Sequence, residues 1–452
     1  MGDPRDVFKA YDIRGIVPDQ LDAEMCWAIG AAFVEVTGTE RVLVVRDMRE
    51  SGVALAAAFT EGARSRGAAV TDLGMASTDF LYFAAGRLDS PGAMFTASHN
   101  PAAYNGIKLC LAGAAPVGED TGLRDIERLT IEYLARPPAP STPGPLEQRD
   151  LLADYVAHVH SFVDVSSLRP LKVVADTANG MGGLIVPLVF AGLPFEVEIL
   201  YPELDGSFPN HPADPIQPAN LADLKAAVLD RGADIGLAFD GDADRVFLVD
   251  EQATPVSGSL TTALVAASLL DKSPGSTILY NLICSHVVPE VIEEHGGVAV
   301  RTRVGHSFVK ATMAETGAVF GGEHSGHYYF RDNYRADSGI ITAMLVLELL
   351  STSSRPLSKL LVPFHRYANS GEINTVVSDP QRAVDAVAQR VNAEATGIDR
   401  LDGLTAEFGE WWFNLRPSNT EPLLRLNVEA RTEEECARHV QEVLDLVAEC
   451  AP

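Results

Sequence analysis

"LKVVADTANG", Leu171 to Gly180, is a β-rich run that closes on Asp176 and Asn179; a helix-like stretch follows, then a second β-rich run, "FEVEIL" (Phe195 to Leu200). The same order occurs twice more. "RVLVVRD" (Arg41 to Asp47) leads through an expected helix over Ala54 to Arg66 into "AAVTDLG", and "STILYNLICS" from Ser276 leads into "GVAVRTR". A strand, a helix and a further strand make a βαβ unit, so the chain is α/β, with three related domains built on mixed, parallel-leaning sheets. Little residue identity joins the copies; the repeat is one of pattern.

The last ninety or so residues differ. "LLRLNVEA" (Leu423 to Ala430) alternates apolar and polar residues as a half-exposed antiparallel strand does. Cys436, Val440, Val443, Leu444 and Val447 then recur at helical spacing. This predicts a smaller C-terminal α+β domain. Earlier, "RPPAPSTPGP" (Arg136 to Pro145) holds five prolines in ten residues, which forbids a helix or central strand and marks a linker.

With 452 residues, 46% apolar and 21% charged, the chain is long enough for several globular domains. Its net charge, 35 − 62 = −27, repels nucleic acid and anionic membrane, so neither is an expected partner. Any phosphate site must bring its own local cations. Cys26, Cys110, Cys284, Cys436 and Cys450 are odd in number and scattered, without a C-x-x-C pair, which argues against a disulfide framework and a structural zinc. The start, "MGDPRDVFKAYDIRG", has acids and a proline where a signal peptide needs a basic start and an apolar core. A cytoplasmic location is expected.

The sharpest chemical signal is "GLAFDGDADRVFLVD", in which Asp240, Asp242 and Asp244 stand two apart between strand-like runs. Carboxylates converging at about 5 Å repel by about 3 kcal/mol per pair at an effective dielectric near 20. A hard divalent cation such as Mg²⁺ converts that cost into binding. The alternatives are a solvated acidic turn, an EF-hand and an aspartyl-phosphate phosphatase. An EF-hand needs glycine where Arg245 stands, and the phosphatase motif has Thr or Val where Asp244 stands.

"RPSNTEP" (Arg416 to Pro422) combines a guanidinium fork with the short donors Ser418, Asn419 and Thr420. It suits phosphate oxygens, and equally describes a polar turn between two prolines. "GGEHSGHYYF" (Gly321 to Phe330) presents Glu323, His324, Ser325 and His327 on a tight loop suited to a hydroxyl-rich ligand; zinc on Glu323 and His327 lacks a third ligand. In "TASHNPAAYNGIK", Thr96 and Asn100 replace the glycines a serine hydrolase places around its nucleophile. His99 is a poor base for Ser98, because neighbouring side chains point apart.

Taken in order, "FKAYDIRG", "TASHNP", "YPELDGSFPNHPADP", "DGDADR", "RTRVGHSFVK", "GEHSGH" and "RPSNTEP" resemble the α-D-phosphohexomutase family, in its bacterial phosphomannomutase and phosphomannomutase/phosphoglucomutase branch. The likeness covers essentially the whole chain. It implies four domains around a central cleft, at 1–142, 143–252, 253–362 and 363–452, the fourth more mobile and carrying the phosphate loop.

The resemblance also implies that Ser98 is a phosphoserine. Ser98, Asp240, Asp242 and Asp244 hold Mg²⁺; Lys108 and Arg14 assist proton transfer and charge balance; and Tyr11, Arg245 and the catalytic His306 line the site. Glu323, Ser325 and His327 bind sugar hydroxyls, and Arg416, Ser418, Asn419 and Thr420 bind phosphate. The implied reaction interconverts mannose 1-phosphate and mannose 6-phosphate through a hexose 1,6-bisphosphate, which also serves as activator, with glucose phosphates as further substrates. The enzyme is expected as a monomer or homodimer. The rival readings are a phosphoglucomutase, a phosphoglucosamine mutase, and a non-catalytic sugar-phosphate binding protein. One departure stands out: Ile283 replaces a lysine that faces substrate in some relatives, which implies either a narrower specificity or phosphate handling shifted to Arg303 or Lys310.

Overall fold

The computed structural model describes residues 3–139, 141–418 and 423–450. Three of its four sheets share one plan. In the second, Lys172–Asp176 lies between parallel Glu196–Leu200 and Ile235–Phe239, and Val246–Asp250 returns antiparallel beside the latter. In the first, Arg41–Arg46 lies between Ala69–Met75 and Gly92–Phe95, and Tyr104–Cys110 returns antiparallel. In the third, Thr277–Asn281 lies between Val298–Thr302 and Phe320–Gly322, and Tyr328–Phe330 returns antiparallel. Each sheet therefore ends one side of its parallel core in a hairpin at the same place. The first sheet adds Ile13–Ile16 beyond its hairpin and a short edge strand, Leu146–Gln148, from beyond the proline-rich linker.

The local reasons are ordinary ones. Val42 to Val45 are buried on both faces, as a strand covered by helices requires. The helix expected from Ala54 begins earlier, at Glu50–Ser65, because Arg49 stays extended (φ −63°, ψ 129°) and Glu50 supplies an acidic first turn.

A continuous apolar core runs through the first three domains, joining Phe80, Tyr155, Leu237, Leu264, Phe320 and Ile341. At its centre Asp79 accepts hydrogen bonds from Ser77, from the Tyr155 hydroxyl (2.7 Å) and from the Ser338 hydroxyl (2.5 Å). Burial pushes its carboxyl up to about 6, against the pull of these three donors. The apolar helix Gly339–Thr352, capped by Ser338, is buried along most of its length. Among the described residues no single helix is long and apolar enough to cross a membrane.

The C-terminal domain has a separate core around Val384, Val387, Phe413, Leu426 and Val443. Its sheet is wholly antiparallel. Leu423–Ala430 sits between Ala368–Val376 and Trp412–Pro417, so it is a central strand and not the half-exposed one its alternation predicts. Its polar face meets the third domain: Glu429 accepts from the His286 amide (2.9 Å) and from Trp412 Nε1 (2.9 Å).

Candidate active site

Three of the chemical motifs sit on hairpins, and His306 opens the helix His306–Thr316. The turn after Gly92–Phe95 carries Ser98, the turn after Ile235–Phe239 carries the three aspartates, and the turn after Phe320–Gly322 carries Glu323 to His327. They converge on a cavity of about 390 Å³ lined by Tyr11, Arg14, Ser98, Lys108, Asp244, Arg245, His306, Glu323, Ser325 and His327. A wider groove of about 950 Å³, lined in part by Arg303 and Phe308, adjoins it through Tyr11.

Ser98 adopts φ 49°, a left-handed conformation costly for serine. Its amide donates to Thr96 Oγ1 (2.9 Å) and its hydroxyl donates to Asp240 Oδ2 (2.7 Å). The same twist corrects the sequence argument about His99: Oγ and His99 Nδ1 come within 3.1 Å. Arg245 also donates to that nitrogen (2.6 Å), and burial, Arg245 and Arg14 hold the imidazole far below its usual range. His99 is thus a neutral neighbour whose Nδ1 accepts from Arg245, while the single Ser98 hydroxyl proton goes to Asp240.

Arg49 fixes the loop. Its guanidinium, 2% exposed, donates to the carbonyls of Ser98 (2.9 Å), Asn100 (2.6 Å), Pro101 (3.0 Å) and Tyr104 (2.9 Å) and pairs with Asp47 at 3.3 Å. It also lies 5.1 Å from the centre of the Phe208 ring of the second domain. On the far side, Gly241 lets the aspartate loop touch the serine loop, since a Cβ there would stand 2.3 Å from the Ser98 carbonyl oxygen.

The three aspartates offer oxygens within 4.8 Å of one another and are fully buried. Lys108 bridges Asp242 (2.7 Å) and Asp244, and Arg245 holds Asp240 (2.9 Å). Thr78 donates to Asp242 (2.6 Å). Burial works to raise Asp242, but Lys108 and these hydrogen bonds overcome it and hold the group well below the carboxylate range. Asp240 is raised, first by burial and then by its two acidic neighbours, despite Arg245. Asp242 Oδ1 and Asp244 Oδ1 are buried with no hydrogen-bond partner, the condition a hard cation satisfies.

The sugar-loop residues are tied in place. Glu323 accepts from Tyr329 (2.5 Å), Asn281 (3.1 Å) and the Gly305 amide (3.2 Å), which leaves it unsuited to zinc. Ser325 Oγ and His327 Nδ1 stand 3.0 Å apart, and His327 Nε2 lies 3.6 Å from Asp244. Burial lowers His306 to about 3, and its Nδ1 has no partner. Arg14 is held by Asn100 and by Asp12 (2.5 Å).

Lys310 does not face the cavity as a phosphate ligand. It is 2% exposed, paired with Asp337 at 3.1 Å, with its ammonium 3.6 Å from the centre of the Tyr82 ring. Arg303 lies over Phe308 in the outer groove, and Ile283 is buried in the joint between the third and fourth domains. Arg416 lies near the end of Trp412–Pro417, bound to Glu372 (2.5 Å), and the Ser418 amide donates to the Leu423 carbonyl (2.8 Å). Asn419 and Thr420 lie outside the described residues. Arg425, which sequence reasoning missed, reaches the cavity from the fourth domain.

Models of the phosphoglucomutase/phosphomannomutase family match in chain order: α/β/α domain I at 5–135, domain II at 153–254, domain III at 257–367 and the C-terminal domain at 372–446. The chain belongs to this family. It is 40% identical over 432 residues to a phosphomannomutase of Escherichia coli strain K12, covering 94% of each chain. It is also 41% identical over 426 residues to a Xanthomonas campestris protein named for phosphohexose mutases, covering 94% of this chain and 95% of that one. A crystal structure of a phosphoglucomutase/phosphomannomutase family protein from Burkholderia thailandensis superposes with a TM-score of 0.90 at 32% identity, over 99% and 98% of the chains. The family makes the chain an intramolecular phosphotransferase of the phosphohexomutase kind.

Proposed function

We propose that this phosphohexomutase interconverts mannose 1-phosphate and mannose 6-phosphate through a phosphorylated Ser98 and a hexose 1,6-bisphosphate. The observation that carries the reading is the Ser98 hydroxyl bonded to Asp240 inside a buried aspartate triad that two cations, Lys108 and Arg245, hold in the same cavity. A hydrolase would need a base poised to deprotonate Ser98. Here the serine is surrounded by what a phosphate ester needs, cations and a metal site.

In the reading, Asp240, Asp242 and Asp244 hold Mg²⁺ together with the Ser98 phosphate. When bound, the ion neutralises charge on the transferring group. Phosphoryl transfer breaks the Oγ–P bond at Ser98 and forms an O–P bond to the free hydroxyl of the hexose phosphate. His306, held neutral by burial and with an unpartnered Nδ1, accepts a hydrogen bond from that hydroxyl; at about 3 it is too weak a base to keep the proton, which ends on the released Ser98 Oγ. Lys108 and Arg245 remain cationic beside the serine, and Arg14 holds Asn100 of its loop. Glu323, Ser325 and His327 orient the sugar, Tyr11 lines its path, and Arg416 with Ser418, Asn419 and Thr420 takes the distal phosphate. The bisphosphate then turns round, and Ser98 recovers the other phosphoryl group.

A coupled assay with mannose 1-phosphate, Mg²⁺ and catalytic bisphosphate tests this directly, with glucose and glucosamine phosphates in parallel. Mannose phosphate as the best substrate supports the reading. A higher kcat/KM on glucosamine phosphate contradicts it.

A further inference from the structure

Arg416 and Arg425 stand directly opposite one another on adjacent antiparallel strands, a placement in which like charges repel. Arg416 is only 6% exposed, so water screens it little. The protein supplies the missing anion itself. Glu372 Oε2 accepts from Arg416 at 2.5 Å, and its Oε1 lies 3.6 Å from Arg425 Nε.

That carboxylate is aimed by a β-bulge. Ala368–Val376 pairs Asn369 with Glu429 and then Glu372 with Asn427, so three steps on one strand match two on the other. Gly371 takes φ 65° within the bulge, and Ser370 Oγ accepts from the Val428 amide (2.9 Å). In an unbroken register residue 372 would face Leu426, which belongs to the domain core. The extra residue turns Glu372 onto the face that carries Arg416, Arg425 and Asn427. Among the described residues Asp402 adds a weaker pull on Arg416, and Glu372 is the carboxylate that contacts both guanidiniums.

We propose that Glu372 is a resident counter-anion that trades places with the substrate phosphate and limits how tightly the arginine pair holds it. The inference rests on the phosphate pocket assigned above. It answers a requirement of that chemistry: a bisphosphate that must turn round has to leave this pocket in every cycle. A fully cationic pocket would retain it. With Glu372 present, the carboxylate recaptures both guanidiniums as the phosphate departs, so release is not opposed by two bare charges.

Glu372→Gln keeps the shape and removes the charge, and Glu372→Asp keeps the charge. Titration calorimetry with inorganic phosphate and with mannose 1-phosphate, beside steady-state kinetics, reads the effect. Glu372→Gln is expected to bind phosphate roughly ten-fold tighter at low salt, with the gain shrinking as salt rises. KM for mannose 1-phosphate falls and kcat falls with it, because release slows, while Glu372→Asp stays near the parent. Phosphate affinity in Glu372→Gln equal to or weaker than the parent's overturns the proposal. So does a variant that stays unfolded at saturating phosphate, since phosphate then cannot replace the carboxylate. A parent enzyme that binds phosphate but turns over no hexose phosphate overturns the functional reading instead, and the phosphate arm still decides the role of Glu372.

Discussion

Ser98 Oγ and Asp240 Oδ2 are 2.7 Å apart although 142 positions separate them in sequence. The contact exists because the first and second sheets each place a hairpin at the same position beside a parallel core, and the two turns meet. Gly241 against the Ser98 carbonyl sets how closely they meet. The third sheet closes the site with its own hairpin at Glu323 to His327.

Arg49 should behave as a positioning residue for that contact. Arg49→Lys retains charge but loses the planar fork that spans four carbonyls. It is expected to cost about 2–3 kcal/mol in denaturant unfolding, as for a buried network left partly unsatisfied. A drop of roughly ten-fold in kcat with KM little changed is expected as well, since a misplaced Ser98 affects transfer more than substrate binding. Unchanged kcat contradicts the assignment.

Metal removal should act on stability as well as turnover. Asp242 Oδ1 and Asp244 Oδ1 have no hydrogen-bond partner among the described residues. Restoring Mg²⁺ to chelated enzyme at about a hundred times its Kd is therefore expected to add about 2.7 kcal/mol. Scanning calorimetry reads this as a Tm rise of a few degrees. Asp242→Asn should reduce that Mg²⁺-dependent rise and abolish activity.

Buried histidines should weaken the fold in acid, against buried carboxyls that work the other way. Burial holds His306 down to about 3, and His158 and His324 also lie below the usual 6.5. The unfolded chain takes up these protons near 6.5 and the folded one does not, so the unfolded state binds more protons in that window. The His306 contribution falls as pH drops from 6.5 toward 3, by up to about 1.4 kcal/mol per pH unit, while Asp47 and Asp79, raised by burial to about 6, offset it as they protonate in the folded state. His306→Gln should flatten the slope of unfolding free energy between pH 6 and about 4; an unchanged slope would show that His306 titrates normally.

The fourth domain should move as a unit. Its core is separate, and polar contacts join it to the third domain: Arg301 with Asp399, the Val304 amide with Asp402, and His286 with Glu407 at 3.4 Å. Fluorescent labels beside Ser418 and on the first domain are expected to approach when a hexose phosphate binds. An unchanged distance at saturation contradicts closure.

The sheets were legible because their signal is local: Val42 to Val45 and Lys172–Asp176 are short, covered strands whose apolar runs need no partner to be read. The aspartates and Ser98 were legible as motifs. What holds them was not. Arg49 binds carbonyls about fifty positions away, and Glu372 meets Arg416 only through a bulge that no residue pattern announces. His99 was misread because the rule for neighbouring side chains assumes regular backbone, and Ser98 departs from it at φ 49°. Leu423–Ala430 was misread because a polar face can meet another domain as well as water.

The central claim is that Ser98 carries phosphate. Intact-mass measurement with peptide mapping, before and after incubation with hexose 1,6-bisphosphate, tests it most directly. The account predicts one phosphate on the peptide containing Ser98 and none on Ser98→Ala, with activity lost in that variant by about a thousand-fold or more. An unphosphorylated Ser98 in active enzyme, together with a fully active Ser98→Ala, would contradict it.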